Sequence, residues 1–345
     1  MIVRFGLICI VMSVLVFFVL GEPKYISEAL PGSLVATIQS SNEKKQTTDT
    51  ILFVGDIMMG RHVENLIEEF GEDYPFRNVM QLFESHTITV GNFEGVVSEE
   101  HSKTPSMVMR FSVRDTYLTY LTWLGFDVLS LANNHSLDYG HSALSYTRLL
   151  CKGVQLSCIG SPTGIDESSA TVVTVGQTKV GIISLHTLYS EPSDDALFPE
   201  LEKLTEESDI QIAYIHWGNE YELKHNRGQE LFAQKLIDHG IDAVIGHHPH
   251  VIQDIDIYSS KPIFYSLGNF VFDQYFSTDV QEGIGVQMII ADDVVSYQLI
   301  PFKSTKSQPD YMSEEEVQVL YSRIFADTAS IAQVNTERGA IVSKW

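Results

Sequence analysis

The sequence predicts an α/β fold in which a largely parallel sheet carries helices on its faces. Three observations lead there. From Ile51 onward, short apolar runs alternate with helical patterns in the order βαβαβαβ, the signature of strands joined by helical crossovers. Hydrophobic residues make up 44% and charged residues 19% of 345, a balance that fills a globular core. Clusters rich in His, Asp, Asn and Glu follow the apolar runs directly, where parallel strands gather a ligand crevice at their carboxyl ends.

Taken in order, Ile51-Leu52-Phe53-Val54 reads as a buried strand and residues 61–70 as a helix. Ile88-Thr89-Val90 is a second strand. A helix over 116–124 stops at Gly125, before a third strand at 127–131. A helix over 143–150 ends near Gly153, and a short strand follows over 154–159. Further strands are expected at 171–175, 179–184, 210–215, 243–245, 263–265, 284–290 and 294–300, with helices at 197–206 and 229–239. A last helix, 313–332, opens on Ser313-Glu314-Glu315-Glu316, a side-chain cap for its first turn. The acidic run there is a solvated helix start rather than a cation site. The spacing Gly283-x-Gly285 lacks the context of a nucleotide fingerprint, and the alternating Phe270 and Phe272 read as core.

The amino-terminal residues stand apart. After Arg4, residues 5–20 contain no charge. That run exceeds a usual signal-peptide core and approaches the ~20 residues that span a bilayer. An uncleaved anchor is the expectation, with cleavage near Gly21 and secretion the alternative; both place the main body outside the cytoplasm. Cys9 lacks a lipidation context. The organisation is therefore a signal-anchor or signal peptide at 1–21, a tether at 22–50, a main domain at 51–302 and a C-terminal helical extension at 303–345. A disulfide between Cys151 and Cys158 is sterically conceivable, but a pair of buried thiols is the expected reading.

Lys plus Arg number 22 against 45 Asp plus Glu, a formal charge of −23. Such a body repels nucleic acid and anionic headgroups at long range and attracts cations. Nucleic acid is thereby excluded as a partner.

The chemistry concentrates at the strand ends. Asp56 follows the first strand, Asn92 and Glu94 the second, and Asn133-Asn134-His135 the third; His216 follows residue 215, and His247-His248-Pro249-His250 follows residue 245. A lone histidine at such a place is more often satisfied by backbone than bound to metal. Repetition at successive strand ends changes that balance, because unpaired buried polar groups cost about 1–3 kcal/mol each. Imidazole and carboxylate suit Zn, Mn and Fe, with amide oxygen an accessory donor. The pairs Asn92/Glu94 and His248/His250 are two apart, so in extended chain each presents both side chains to one side. Arg61 is either a bidentate grip on an anion or a surface ion pair. Glu220, Tyr221 and residues 269–274 are candidates for the crevice rim.

Six ordered blocks carry a family resemblance: Gly55-Asp56-Ile57-Met58-Met59-Gly60-Arg61, Gly91-Asn92-Phe93-Glu94-Gly95, residues 132–140 from Ala132 to Gly140, His216-Trp217-Gly218-Asn219-Glu220-Tyr221, Gly246-His247-His248-Pro249-His250-Val251, and residues 265–274. Over roughly 50–300 the chain resembles the CapA family of capsule and poly-γ-glutamate synthesis or export, similar in fold to calcineurin-like metallophosphoesterases. The resemblance implies a sandwich of central sheets flanked by helices, behind the N-terminal membrane segment. It implies a divalent metal held by Asp56, Asn134, His216, His248 and His250, with Asn92 and Glu94 from the second block. It makes His135 the residue that steadies a phosphate or its leaving group, oriented by Asp138, with Arg61 as the anion grip.

Two departures stand out. Met58 takes the place where such enzymes carry a histidine two after the first aspartate, and the neutral Asn92 takes that of a bridging aspartate. With Asp56 and Glu94 as the two clear carboxylates, one firm metal site is expected, with the second weak or completed by substrate. The readings this leaves are a metal-dependent hydrolase or phosphoesterase-like enzyme of capsular polymer synthesis or export, a non-catalytic assembly or export scaffold in a capsule synthase complex, and a secreted metallophosphatase unrelated to capsule. The expected partners are the cell membrane through residues 5–20, an anionic capsular polymer or envelope precursor, and other membrane proteins of capsule synthesis.

Overall fold

The computed structural model describes residues 49–291, 294–326, 334–335 and 339–344. The apolar run 5–20 and the tether up to residue 48 lie outside these residues. Among the described residues no helix is long and apolar enough to cross a membrane.

Two sheets pack face to face with helices outside each, giving four layers. In the first sheet the strands Thr50–Ile57, Ile88–Phe93, Val128–Ser130 and Ser157–Ile159 run parallel in that order. On the other side of Thr50–Ile57, Glu282–Ala291, Val294–Thr305 and Ala340–Lys344 continue the sheet antiparallel. The second sheet has a parallel centre of Thr178–His186, Ile210–His216, Ala243–His247 and Lys261–Phe264, edged by antiparallel Ala170–Val175 and Ile255–Tyr258. The expected parallel order holds for the first four strands. The remainder differs because strand partners are chosen by long-range packing, which local apolar pattern does not encode.

Period-two alternation builds the layers. Ile51 and Phe53 join Ile182, Ile212, Tyr214 and Ile245 in the core between the sheets. Their neighbours Leu52 and Val54 face the helical side, with Val63, Leu121 and Phe270. In the second sheet Ile183, Leu185, Ala213 and Ile215 pack outward on Leu197, Leu201 and Leu236, from the helices Asp194–Glu207 and Arg227–Asp238. Both faces of the central strands are therefore buried, which is why they read as continuous apolar runs.

The C-terminal stretch holds the expected helix at Glu314–Ile324, opened by a reciprocal cap between Ser313 and Glu316. It also supplies Gln308–Tyr311, Val334–Asn335 and Ala340–Lys344 to the first sheet, so residues beyond 303 are more than a helical extension. Of the expected helix to 332, residues 327–332 lie outside the described ones.

Cys151 and Cys158 form a disulfide, contrary to the expected thiol pair, with their Cα atoms 6.0 Å apart. Cys151 closes the helix Gly140–Gly153 and Cys158 lies on the strand Ser157–Ile159; the tight turn through Gln155 at φ 61° brings them into bonding range. Closing so short a loop removes denatured-state entropy equivalent to about 2–3 kcal/mol. The double variant Cys151→Ala/Cys158→Ala is expected to lose about that much in urea unfolding. Reductant should lower the wild-type midpoint and leave the variant unmoved.

Candidate metal centre

The site forms where the carboxyl ends of both sheets meet. Asp56 is in register with Asn92 on one side and Asn269 on the other, and His216 is in register with both His186 and His247. The glycine before each of two clusters is required by close backbone packing. A Cβ on Gly55 would overlap the carbonyl oxygen of Gly268, and one on Gly246 that of Tyr265. These positions let a loop backbone lie directly against the strand. Past the second of them the chain bends with His248 at φ 96° and His250 at φ 57°, left-handed conformations that a side chain adopts at a cost.

The structure brings Asp56, Asn92, Glu94, Asn134, His216, His248 and His250 together. Asp56 is fully buried. Its Oδ1 accepts from Asn92 Nδ2 at 2.7 Å, its Oδ2 accepts from the His248 backbone N–H at 3.3 Å, and His250 Nδ1 lies 3.3 Å from Oδ2. A carboxylate only accepts, so Asn92 turns its amide nitrogen to Asp56 and to His216 Nδ1 at 3.2 Å, while its oxygen accepts from Asn133. Asn134 Oδ1 lies 2.8 Å from His216 Nε2. Donor atoms of Asp56, Glu94 and His216 all fall within 4.8 Å of one another, as do those of Glu220, His248 and His250.

Burial sets the charges. It pushes the Glu94 carboxyl well above its usual range; Asp56 and Glu220 push the same way and His250 opposes. It pushes Asp56 up too, but the His250 hydrogen bond and charge, with help from His247 and Asn92, bring it below the usual value. Burial also opposes charge on His250, yet Glu94 and Asp56 hold its proton on. His216 falls well below an ordinary imidazole through burial and its histidine neighbours. Burial takes His247 to about 4 and His248 to about 3. The imidazoles of 216, 247 and 248 are thus neutral at pH 7, the state in which imidazole binds metal.

A divalent cation fits this donor set. Neither oxygen of Glu94 has a hydrogen-bond partner although the residue is fully buried, and both ring nitrogens of His247 and Nδ1 of His248 are also unpartnered. Such orphaned groups are costly unless something else meets them.

The other expected residues lie at the rim. His135 Nδ1 is 2.8 Å from Asp138 Oδ2, its ring stacks on Phe111 at 3.7 Å, and its Nε2 lies 3.7 Å from Glu94 Oε1. The Asp138 oxygen also accepts from the Phe111 backbone N–H at 2.6 Å, so the aspartate holds ring and loop together. Arg61 is 5% exposed, pairs with Asp273 and lies over the Phe111 ring at 4.5 Å. Its ion pair is buried, not on the surface.

Several participants escaped the sequence reading. Glu220 is a donor rather than only a rim residue, Asn269 Oδ1 takes His250 Nδ1 at 2.9 Å, and Asn133 Oδ1 accepts from the His135 backbone N–H and from Ser136 Oγ. His186 ends its own strand, with Nδ1 2.8 Å from the Pro162 carbonyl oxygen. A polar residue closing an apolar strand was the available signal for His186; Asn269 and Asp273 fall in the 265–274 block and the expected rim, without the partners they take here.

Two buried carboxylates among neutral imidazoles, at the shared edge of a two-sheet sandwich, define the class: a mixed α/β protein with a candidate metal-binding cluster. The chain belongs to the bacterial capsule synthesis protein family PGA_cap, which matches residues 50–274. It is 29% identical to the capsule biosynthesis protein CapA of Bacillus anthracis, over 94% of this chain and 85% of that one. It is 33% identical to the PGA biosynthesis protein CapA of Bacillus subtilis, over 67% of this chain and 66% of that one. Among solved structures, a phosphatase from Mycoplasma pneumoniae aligns with a TM-score of 0.44 at 14% identity, covering 76% of this chain and 90% of that one.

Glu94→Gln separates the cost of the carboxylate from its use. The folded pKa of Glu94 is raised, so its contribution is fully present below the unfolded carboxyl value and is lost as pH rises towards the folded one. In chelator-treated protein at pH 7 the variant is expected to be more stable than wild type by about 1–3 kcal/mol, with the gap closing towards pH 4.5. Excess Mn²⁺ should reverse the ranking. Denaturant unfolding at several pH values, with and without metal, checks both signs.

Proposed function

We propose that this chain is a membrane-anchored, extracytoplasmic component of capsular polymer synthesis or export, with poly-γ-glutamate as the polymer, and that its cluster is a divalent-metal hydrolase or phosphoesterase-like site. The observation that carries the catalytic part is Glu94, a fully buried carboxylate with no hydrogen bond to either oxygen, with His250 Nε2 at 3.6 Å and the neutral imidazoles of 216, 247 and 248 beside it. A scaffold surface has no need of such an arrangement. Asp56, Glu94 and His216, with Asn134, hold the firm cation. Glu220, His248 and His250 form the weaker set, because Glu220 is only half-buried and His250 keeps its proton. Mn, Zn and Fe all suit these donors.

When bound, the cation supplies Lewis-acid polarisation of a phosphoryl or acyl oxygen. The residues around it do the rest. Asp138 accepts from His135 Nδ1 and turns the other ring nitrogen towards the centre, so His135 is placed to steady or protonate a leaving oxygen. Asp273 fixes Arg61 over Phe111, leaving its Nε, which is buried and unpartnered, for an anionic substrate group. Residues 5–20 supply the anchor, and the partners are the polymer or its precursor and the other membrane proteins of the capsule system.

One observation favours the scaffold reading: Met58 fills its site with a fully buried thioether whose sulfur accepts from the Gly60 N–H, leaving no donor there for a second metal. Elemental analysis of detergent-solubilised full-length protein decides. Near-stoichiometric Mn, Zn or Fe is expected, lost in Asp56→Ala/His216→Ala. Asp56→Ala, folded by circular dichroism, is expected to leave a strain lacking the gene without polymer. No metal after incubation with excess ions, or full complementation by Asp56→Ala, overturns the catalytic reading.

A further inference from the structure

A cavity of about 600 Å³ opens beside the centre, within the size range of small-molecule sites, and nothing so far assigns it. Two of its lining residues belong to the centre's edge. Asn134 bonds His216 at 2.8 Å, and the His186 ring lies 5.8 Å from the His216 ring. Its remaining walls come from the loop around Pro162 and Thr163 and from residues 189–196.

The chemistry of these walls is selective. No lysine or arginine lines the cavity, and its one charged lining residue is Glu191; the side chain of Lys235 meets that carboxylate at 3.9 Å. His186 is only 8% exposed. A carbonyl oxygen cannot donate, so the contact with Pro162 fixes the proton on Nδ1 and leaves Nε2 as an acceptor. That Nε2 is the one buried side-chain polar atom of the lining residues without a partner. Tyr189 is 81% exposed at the lip and stands edge-on to the His186 ring at 5.3 Å. The hydroxyls of Thr163, Ser190 and Ser193 alternate with the apolar faces of Pro162, Pro192 and Ile165.

We infer that this cavity is a binding subsite for a neutral, hydroxyl-rich ring, a sugar or polyol unit, placed next to the metal centre. Ring hydroxyls meet the histidine acceptor and the serine and threonine hydroxyls, while the C–H face lies on Tyr189 and the prolines. A polyanionic segment finds no cation here and is excluded. The inference rests on the reading of the cluster as a metal site: the cavity takes a neutral unit of a precursor or acceptor that reacts there, and leaves the poly-γ-glutamate chain outside it.

Ligand-observed NMR on the full-length, metal-loaded protein tests it with three probe classes: glucose and N-acetylglucosamine, γ-glutamylglutamate, and putrescine. Saturation transfer to the sugars is expected, and its loss in Ala196→Trp, which fills the cavity from the exposed start of the helix Asp194–Glu207. Thr163→Trp does the same from the opposite wall should the first variant misfold. His186→Phe should also remove it, since the ring volume stays and the acceptor goes. No transfer to either sugar, equal transfer in wild type and filled variants, or transfer to γ-glutamylglutamate that the filled variants lose, each overturns the subsite. Metal content measured on the same samples separates the two failures: metal retained with the sugar result negative removes only the subsite, whereas absent metal removes the centre on which it rests.

Discussion

Asp56 and Glu94 reach no solvent and lie where the ends of two sheets converge. Ionising both in such a place is expensive unless opposite charge arrives with them. His250 supplies one such charge, close to both carboxylates; Glu94 still lies well above an ordinary carboxyl. Much of the local architecture serves to keep this unfavourable grouping in place. Loop backbone lies against Gly55 and Gly246, His248 and His250 occupy left-handed conformations, and Asn92, Asn133 and Asn269 tie the side chains to one another. The four-layer packing supplies the rigidity these strained positions require, because both faces of the strands that end in the cluster are buried.

The parts of the fold governed by local rules were legible. The continuous apolar run at residues 51–54 gave a strand with both faces covered, and Ser313 with Glu316 gave a helix start that the reciprocal cap realises. The position of polar clusters after strands was also legible, and it carried most of the site. What escaped depends on pairing between distant segments. Apolar pattern alone does not divide the strands between two sheets, nor place 340–344 beside 294–298. The Cys151–Cys158 bond depends on how the helix end meets the next strand, and sequence spacing gives only the separation.

The same limit explains the site residues whose partners the sequence pattern did not give. Asp273 matters because it meets Arg61 and accepts from the His62 N–H at 3.2 Å, contacts spanning more than two hundred positions. Asn92 shows a subtler limit. Its place in the second block marks it as a ligand candidate, while its amide nitrogen is turned inward by the carboxylate of Asp56. Position along the chain identifies the neighbourhood; the hydrogen-bond partners decide which atom of the side chain faces it.

Charge would join a loaded cluster to an anionic polymer. A chain with a formal charge of −23 attracts a polyanion only through a local positive focus. The two arginines nearest the crevice are already engaged: Arg61 pairs with Asp273, and Arg110 donates to the Asp138 carbonyl at 3.0 and 2.7 Å while lying over Tyr139. Arg61 brings no net charge beyond its pair, and Arg110 is held at the rim. A divalent cation at Asp56, Glu94 and His216 would change both balances at once. It would give the buried carboxylates their counter-charge, and it would make the floor of the crevice positive where the rest of the molecule is negative. Stability of the site and affinity for an anionic group then depend on the same ion. A centre built this way would admit a polyanion only when loaded, and would leave the neutral cavity beside it to choose the rest of the ligand on other grounds.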